Sequence, residues 1–210
     1  MRTLLKCAMG LLLALCLVQP APRPLAAAAA AADPAAHQIE AFYAKLLDSM
    51  KRGKELGING RYKELTPIVE ATFDLPGMAR LSVGPAWNTI SAVDQKAITD
   101  AFTRMTIANY AKNFASFAGE QFTTDPMVQM RNEDKIVQST FVGSDKAATL
   151  FNYRMHKVGD AWKVVDVYLN GTVSQLALKR SDFSSTVASS GGAGLAKKIN
   201  HLVDSQMKGG

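Results

Sequence analysis

Residues 146–170, KAATLFNYRMHKVGDAWKVVDVYLN, decide the fold of this chain. Apolar side chains recur every second residue on both sides of Gly159-Asp160, which is typical of two strands joined by a two-residue hairpin turn. A one-residue bulge would exchange the two faces in one of the strands. Without a bulge, the turn predicts the register Val158 opposite Ala161, Met155 opposite Val164, Tyr153 opposite Asp166, and Phe151 opposite Tyr168.

The period of two extends toward the N-terminus. Residues 121–131 and 135–143 read as two more strands, with turn residues at 132–134 and 143–145. Because all connections are short, neighbouring strands must run antiparallel. The sequence therefore predicts a meandering antiparallel sheet of four strands, 121–131, 135–143, 146–158 and 161–170.

Helical spacing replaces this pattern on both sides of the sheet segment. The clearest case is residues 34–51, where apolar side chains form one stripe behind Asp33-Pro34, a typical helix start. Residues 74–87 read as a short, broken segment. The other predicted helices cover residues 60–73, 91–118, 173–188 and 193–207. This order predicts one α+β domain in which helices cover one face of a curved sheet, as in NTF2-like folds. Such an arrangement can enclose an internal apolar cavity.

Residues 1–32 differ from the rest because they contain no acidic and no aromatic residue. Arg2 and Lys6 precede an apolar run of 11 residues, 8–18, and several A-x-A sites follow at 26–32. Such a run is too short to cross a bilayer, which needs about 20 residues. The pattern predicts a secretory signal peptide and export to a bacterial periplasm.

Cleavage near residues 28–32 would leave a mature domain, residues 33–210. The net charge would fall from +6 to +3, and both cysteines would leave with the signal. A cysteine-free domain excludes disulfides and thiolate chemistry, and the mild charge gives no nucleic-acid signature. The three histidines have no metal-ligand spacing, so no cofactor or metal is expected.

Two polar residues of the hairpin need an explanation. Asp166 lies in the apolar strand 164–167, where a buried carboxylate must be paired or have a raised pKa. It could be a general base or a structural residue bonded to a partner. Arg154 could contact an anionic headgroup at the mouth of a cavity, or be a paired surface residue.

Several short motifs resemble the MlaC/toluene-tolerance family. The stretch 73–87, FDLPGMARLSVGPAW, is similar to that family's FD…MAR…LG..W signature, and Tyr153-Arg154 and 162–167, WKVVDV, to its YR and WKVYDV strands. The similarity covers about residues 38–206. Residues 166–177 look most like the hopanoid-associated HpnM branch.

The resemblance implies a periplasmic carrier that holds lipid tails between helices and sheet. It implies a phospholipid or hopanoid ligand and exchange with an inner-membrane ABC-type transport complex. On the outer-membrane side it implies a lipoprotein complex or an RND-type exporter. We expect a monomer that is not an enzyme.

The residues that would line such a lipid cavity come mostly from the segment 78–105 and the hairpin. A filled core remains the alternative for each of them. Two other functions also stay open: an NTF2-like enzyme, which would need Asp166 or His156 unpaired in the cavity, and an envelope adaptor with an exposed apolar patch. The predicted lining is Met78, Leu81, Val83, Trp87, Met105, Phe151, Tyr153, Met155, Val165, Val167 and Val173.

Overall fold

A computed structural model describes residues 33–208 of the chain. The predicted signal peptide lies outside the described residues. Within them, four helices precede a sheet and one long helix follows it. The α-helices are α1 Pro34–Lys51, α2 Gly53–Thr72, α3 Leu75–Val83, α4 Ala92–Asn113 and α5 Gln175–Lys208, with a 3-10 helix at Gly84–Thr89.

Local sequence explains the starts of the helices. The Asp33 carboxylate accepts a hydrogen bond from the Ala35 backbone N–H (2.8 Å), with proline at the first helical position of α1. Ser91 caps α4 in the same way, through the Asp94 N–H at 3.1 Å. Residues 91–94, SAVD, match a capping-box pattern in its acidic form, which predicts the start of α4 correctly. The helix ends at Asn113 rather than near 118.

Three helical predictions need correction. The helix predicted at 60–73 begins earlier, at Gly53, and bends at Gly57. The segment predicted as broken, 74–87, is α3 followed by the 3-10 helix. The last two predicted helices form one run, α5, interrupted only at Gly191.

The sheet has six strands rather than four. The first predicted strand is divided because Pro126 has no N–H to donate to the ladder, and both pieces pair with the same neighbour. A sixth strand of two residues lies at 173–174, where the first of the two closing helices, 173–188, was predicted to begin. The strands are β1 Gln121–Thr124, β2 Gln129–Arg131, β3 Asp134–Val142, β4 Ala148–Val158, β5 Ala161–Leu169 and β6 Val173–Ser174.

A β-bulge between Arg154 and Met155 changes the predicted register of the hairpin. Met155 does pair with Val164, and Val158 with Ala161. Beyond the bulge the prediction was wrong by one residue, because β5 contributes an extra residue to the ladder. The observed pairs there are Tyr153 with Val167, Arg154 with Asp166, and Phe151 with Leu169.

The helices pack on one face of the sheet, and the core lies between the two layers. Phe42 of α1, Leu65 of α2, Phe102 of α4 and Leu195 of α5 are buried and belong to one hydrophobic cluster, which also contains Tyr153 and Met155 of β4. The other face of the sheet is open. No helix among residues 33–208 has an apolar stretch long enough to cross a membrane.

Candidate functional site

The predicted lipid-contacting residues fall into three groups. Seven of the eleven are buried, and three are partly buried at the margin of the core. Val173 differs, since it is 43% exposed on the edge strand β6. The buried residues are Met78, Val83, Met105, Tyr153, Met155, Val165 and Val167, and the marginal ones are Leu81, Trp87 and Phe151.

Val165 stands apart from the other buried residues. It is the extra residue that β5 contributes at the bulge, because Met155 pairs with Val164 and Arg154 with Asp166. It is buried but is not a member of the main core cluster. The predicted register placed Val167 and Tyr153 on different faces of the sheet. In the observed register they are cross-strand partners, so their side chains share one face.

A chain of aromatic rings links the core to one margin of the helix-facing side of the sheet. Tyr153 stacks on Phe151 at 6.3 Å between ring centroids, Phe151 meets Phe141 at 6.4 Å, and Phe141 meets Phe122 at 4.8 Å. Sequence reasoning missed Phe122 and Phe141 as site candidates. The sequence shows that both residues lie at alternating apolar positions of predicted strands. It does not show that their rings contact each other and Phe151, because these three residues lie on different strands.

The inner end of this aromatic chain is held by hydroxyl groups. Tyr43 of α1 donates to the Tyr153 hydroxyl (3.0 Å) and shares a 2.5 Å hydrogen bond with Ser139. Burial raises the pKa of Tyr43 to about 12, although both hydrogen bonds oppose it. The hydroxyls therefore stay protonated and neutral, which suits the inner wall of an apolar site.

Two rings of this aromatic chain, Phe151 and Phe141, belong to an incompletely covered apolar surface, which we call the apolar mouth. Its members are Phe141, Phe151, Leu169 and Val173. Phe151 is paired with Leu169, and Leu169 with Val173, so these side chains share one face of the sheet. The first three are partly buried and Val173 is exposed. At these four residues, apolar surface on the helix-facing side of the sheet is accessible from outside.

Asp166 has a structural explanation. Its carboxylate accepts hydrogen bonds from the Val167 N–H (2.8 Å), the Ser174 hydroxyl (2.6 Å) and the Leu176 N–H (3.3 Å). Ser174 in turn caps α5 by accepting from the Ala177 N–H at 3.0 Å. Asp166 thus fastens the start of α5 to β5, as the structural alternative predicted.

Arg154 belongs to a polar cluster on the open face of the sheet. The buried carboxylate of Asp134 accepts hydrogen bonds from Arg154 Nε and pairs with His156 Nδ1 at 2.6 Å. Burial alone would raise the pKa of Asp134, but the bonds to His156 and Arg154 outweigh it and lower that pKa. Arg154 is therefore a paired surface residue, the second of the two interpretations from the sequence.

The open face also carries a groove of about 490 Å³ beside this cluster. Its lining includes Gln129, Arg131, Asn152 and Tyr168. A smaller groove of about 310 Å³ adjoins it near Thr123. Both are shallow and polar, and neither is lined by the predicted lipid-contacting residues. Within residues 33–208 no group of His, Cys, Asp and Glu side chains could hold a metal ion.

One solved structure with a similar fold is a phospholipid-binding protein from Ralstonia solanacearum in complex with a phospholipid. It superposes with a TM-score of 0.72 over 83% of this chain and 99% of that one, at 17% sequence identity. No protein among the curated ones matches this chain. The sequence model of the family described as MlaC protein matches residues 40–201, and on that match over most of its length the chain belongs to the MlaC family.

Proposed function

We propose that this protein is a periplasmic lipid carrier that binds lipid tails between its helices and its sheet and shuttles lipid between the two membranes. The observation that carries the proposal is the apolar mouth, which continues inward through Phe151 to the neutral, buried Tyr153. Membership of the MlaC family and the phospholipid bound by the similar Ralstonia protein support it.

The proposal requires the core to open. Met78, Met105 and Met155 are buried at the boundary between helices and sheet, and methionine side chains adapt their shape at low cost. Tails entering at the mouth would separate Leu81, Trp87 and Phe151 from their neighbours. The predicted residues would then line the cavity that encloses the tails. The proposed site uses helix-side residues only, so Arg154 on the open face is not part of it.

The physical chemistry of lipid tails explains why such a carrier would need docking partners. Burying a methylene contributes about 0.8 kcal/mol, so two tails of about 16 carbons would gain roughly 25 kcal/mol before the costs of ordering. Spontaneous release into water would be slow. We propose that the carrier is a monomer whose site is opened by docking. Its docking partners would be an inner-membrane ABC-type complex and an outer-membrane lipoprotein complex or RND-type exporter.

The ligand is a phospholipid or a hopanoid. The bound phospholipid of the Ralstonia protein favours the first, and the resemblance of residues 166–177 to the HpnM branch favours the second. The enzyme alternative required Asp166 or His156 to be unpaired in the site. In the structure the carboxylate of Asp166 caps α5 and His156 pairs with Asp134, which favours binding over catalysis.

A lipid-transfer assay with substitutions at two adjacent residues of β4, whose side chains lie on opposite faces of the sheet, tests the proposal. The assay measures how fast the mature protein moves fluorescent phospholipid from donor to acceptor vesicles. Phe151→Asp places a charge in the apolar mouth and should slow transfer at least about tenfold. The control is Leu150→Asp, at a residue that is 48% exposed on the open face, and it should transfer like the wild type.

Equal transfer by both variants would contradict the proposed site. Loss of transfer in Leu150→Asp alone would favour the envelope adaptor, which uses an exposed apolar patch for contact. Circular dichroism and urea unfolding of both variants separate loss of binding from loss of folding.

A further inference from the structure

The long helix α5 is bent sharply at Gly191, where the backbone has φ 69° and ψ −178°. The ammonium group of Lys198 donates a hydrogen bond to the Asp182 carboxylate at 2.5 Å. In a straight helix these two residues would be about 24 Å apart along the axis, which is far beyond the reach of their side chains. The two halves of α5, residues 175–190 and 192–208, therefore fold toward each other at the bend.

The first half of α5 is fastened to α3. Arg180 donates from Nε and Nη2 to the Leu81 carbonyl at 3.1 and 3.0 Å. The Ser184 hydroxyl donates to the Val83 carbonyl at 2.9 Å. Both carbonyls belong to the last turn of α3, where the backbone has no acceptor partners within the helix. We call α3 together with residues 175–190 the flap.

The second half of α5 is fastened to α4. A Cβ atom added at Gly192 would lie 2.6 Å from the Cβ of Asp94, so the two helices touch directly after the bend. Further along, Arg104 of α4 pairs with Asp204 at 2.9 Å. We call α4 together with residues 192–208 the body.

Both helices of the flap are anchored to β5 at their N-terminal ends. The Asp74 N–H, just before α3, donates to the Val164 carbonyl at 2.9 Å. The Leu176 N–H, in the first turn of α5, donates to the Asp166 carboxylate at 3.3 Å. One edge of the flap is therefore fixed to the sheet.

The opposite ends of the two flap helices are each followed by a glycine with a positive φ. Gly84 follows α3 with φ 72°, and Gly191 follows the first half of α5 with φ 69°. Glycine changes its φ and ψ at low steric cost, and hinges are typically a few residues at the ends of elements. The flap is thus fixed at β5 and has a hinge residue at the far end of each helix.

The inner side of the flap covers part of the apolar core. Met78 and Val83 of α3 are buried in the main core cluster, together with Phe183 and Val187 of α5. Met105 of the body belongs to the same cluster. Rotation of the flap away from α4 would therefore open space next to three of the residues that are predicted to contact lipid.

Lys198 links the body to the flap across the bend. Besides Asp182, its ammonium group binds the Thr186 hydroxyl at 3.1 Å. The side chains of Lys198 and Asp182 are 39% and 57% exposed, so solvent weakens this ion pair. A link of this strength can hold two units together and still break readily.

We propose that the flap is a lid over the lipid site, with hinges at Gly84 and Gly191, and that Lys198 holds it shut by binding Asp182 and Thr186. This inference rests on the proposed lipid-carrier function and deepens it by naming what regulates access to the site. Opening breaks the contacts of Lys198, while the hydrogen bonds inside the flap and its anchors on β5 stay intact.

Distances between paired spin labels test the movement. Residues 33–210 contain no cysteine, so two introduced cysteines carry the only labels. Leu178→Cys with Leu202→Cys joins exposed positions of the flap and the body, and the control, Val93→Cys with Leu202→Cys, lies on the body alone. Loading with phosphatidylglycerol from vesicles should change the first distance and leave the second unchanged. In lipid-free protein, Lys198→Met should shift the first distance toward its lipid-bound value.

Transfer rates test the role of Lys198. Lys198→Met removes an exposed ion pair, so fluorescent phospholipid should move between vesicles about threefold faster. Lys197→Met, at the adjacent exposed residue, should transfer like the wild type. At about 1 M salt, where screening acts beyond about 3 Å, the wild type should become as fast as Lys198→Met. Asp182 is a less specific target, because it also opposes the lowering of the Lys179 pKa by burial.

The outcomes separate the lid from the carrier function. Lipid binding without any change in the distance between flap and body overturns the lid and leaves the carrier function intact. A wild type that takes up no lipid overturns the carrier function and, with it, a lid over a lipid site. A Lys198→Met protein whose distance shifts but whose transfer rate equals that of the wild type overturns the control of access by Lys198.

Discussion

At the scale of single residues, Asp166 shows what a sequence pattern can and cannot resolve. Its place between valines in β5 predicted either a general base or a structural carboxylate with a partner. The partners are the Ser174 hydroxyl and the Leu176 N–H, up to ten residues away along the chain. They are brought close by the turn after β5 and by β6, a two-residue strand that has no detectable period.

Removing the carboxylate tests this assignment. Asp166→Ala leaves the N–H of Leu176 and the hydroxyl of Ser174 without their acceptor at a buried position, so we expect a loss of about 2 kcal/mol in the free energy of unfolding. Urea unfolding measures it. The control Asp160→Ala changes an exposed carboxylate in the β4–β5 turn and should cost less than about 0.5 kcal/mol. Equal effects would contradict the capping role.

The Asp134 cluster predicts a dependence of stability on pH. The folded-state pKa of Asp134 is lowered from the ordinary value of 3.8, so its ionised form stabilises the fold above that pH, and the contribution disappears as the pH falls through the lowered pKa. Asp134→Asn should therefore destabilise by about 1 kcal/mol at pH 6, and by less as the pH falls through the lowered pKa of Asp134. A constant difference across unfolding curves from pH 6 to pH 2 would show that the ion pairs contribute nothing.

At the scale of elements, the bulge in β5 explains why the predicted sheet was only partly right. The turn at Gly159-Asp160 fixes the register locally, as far as Met155 opposite Val164. The extra residue has no signature in the alternation, because 164–167 is apolar at three of four positions. Relative to the predicted register, the extra residue moves Leu169 to the helix-facing side, where it joins the apolar mouth.

The helices were easier to predict than the sheet. The stripe of 34–51 and the capping box at Ser91 are local signals, and both mark helices that the structure contains. The predicted helices 60–73 and 193–207 begin only after the bends at Gly57 and Gly191, because glycine lowers helix propensity. Packing of the flanking turns against the core continues each helix beyond its glycine.

Gly191 is a position in α5 whose backbone conformation makes it sensitive to substitution. It has φ 69° and ψ −178° in the middle of α5, a conformation that only glycine adopts without strain. Gly191→Ala should lower the free energy of unfolding by about 1–3 kcal/mol, measured by urea unfolding. The neighbouring exposed Ser190→Ala should have no comparable effect. A Gly191→Ala protein as stable as the wild type would show that α5 can straighten at this point.

At the scale of the whole molecule, the order of elements and the family could be predicted from sequence, and the binding site only in part. Alternation and stripe patterns indicated helices, an antiparallel sheet and a final helical region, and the motifs around 73–87 and 162–167 indicated the MlaC family, which the family match confirms. Whether Met78, Met105 and Met155 fill a core or yield to a lipid depends on packing against distant residues, which no local pattern encodes.

The central claim is that the mature protein carries lipid. The most direct measurement is to purify it from its native host without detergent, extract it with organic solvent, and quantify the extracted lipids by mass spectrometry against protein. The account predicts about one phospholipid or hopanoid molecule per chain, and depletion of that lipid in Phe151→Asp but not in Leu150→Asp. A protein that is free of lipid and still supports its function in the host would contradict it.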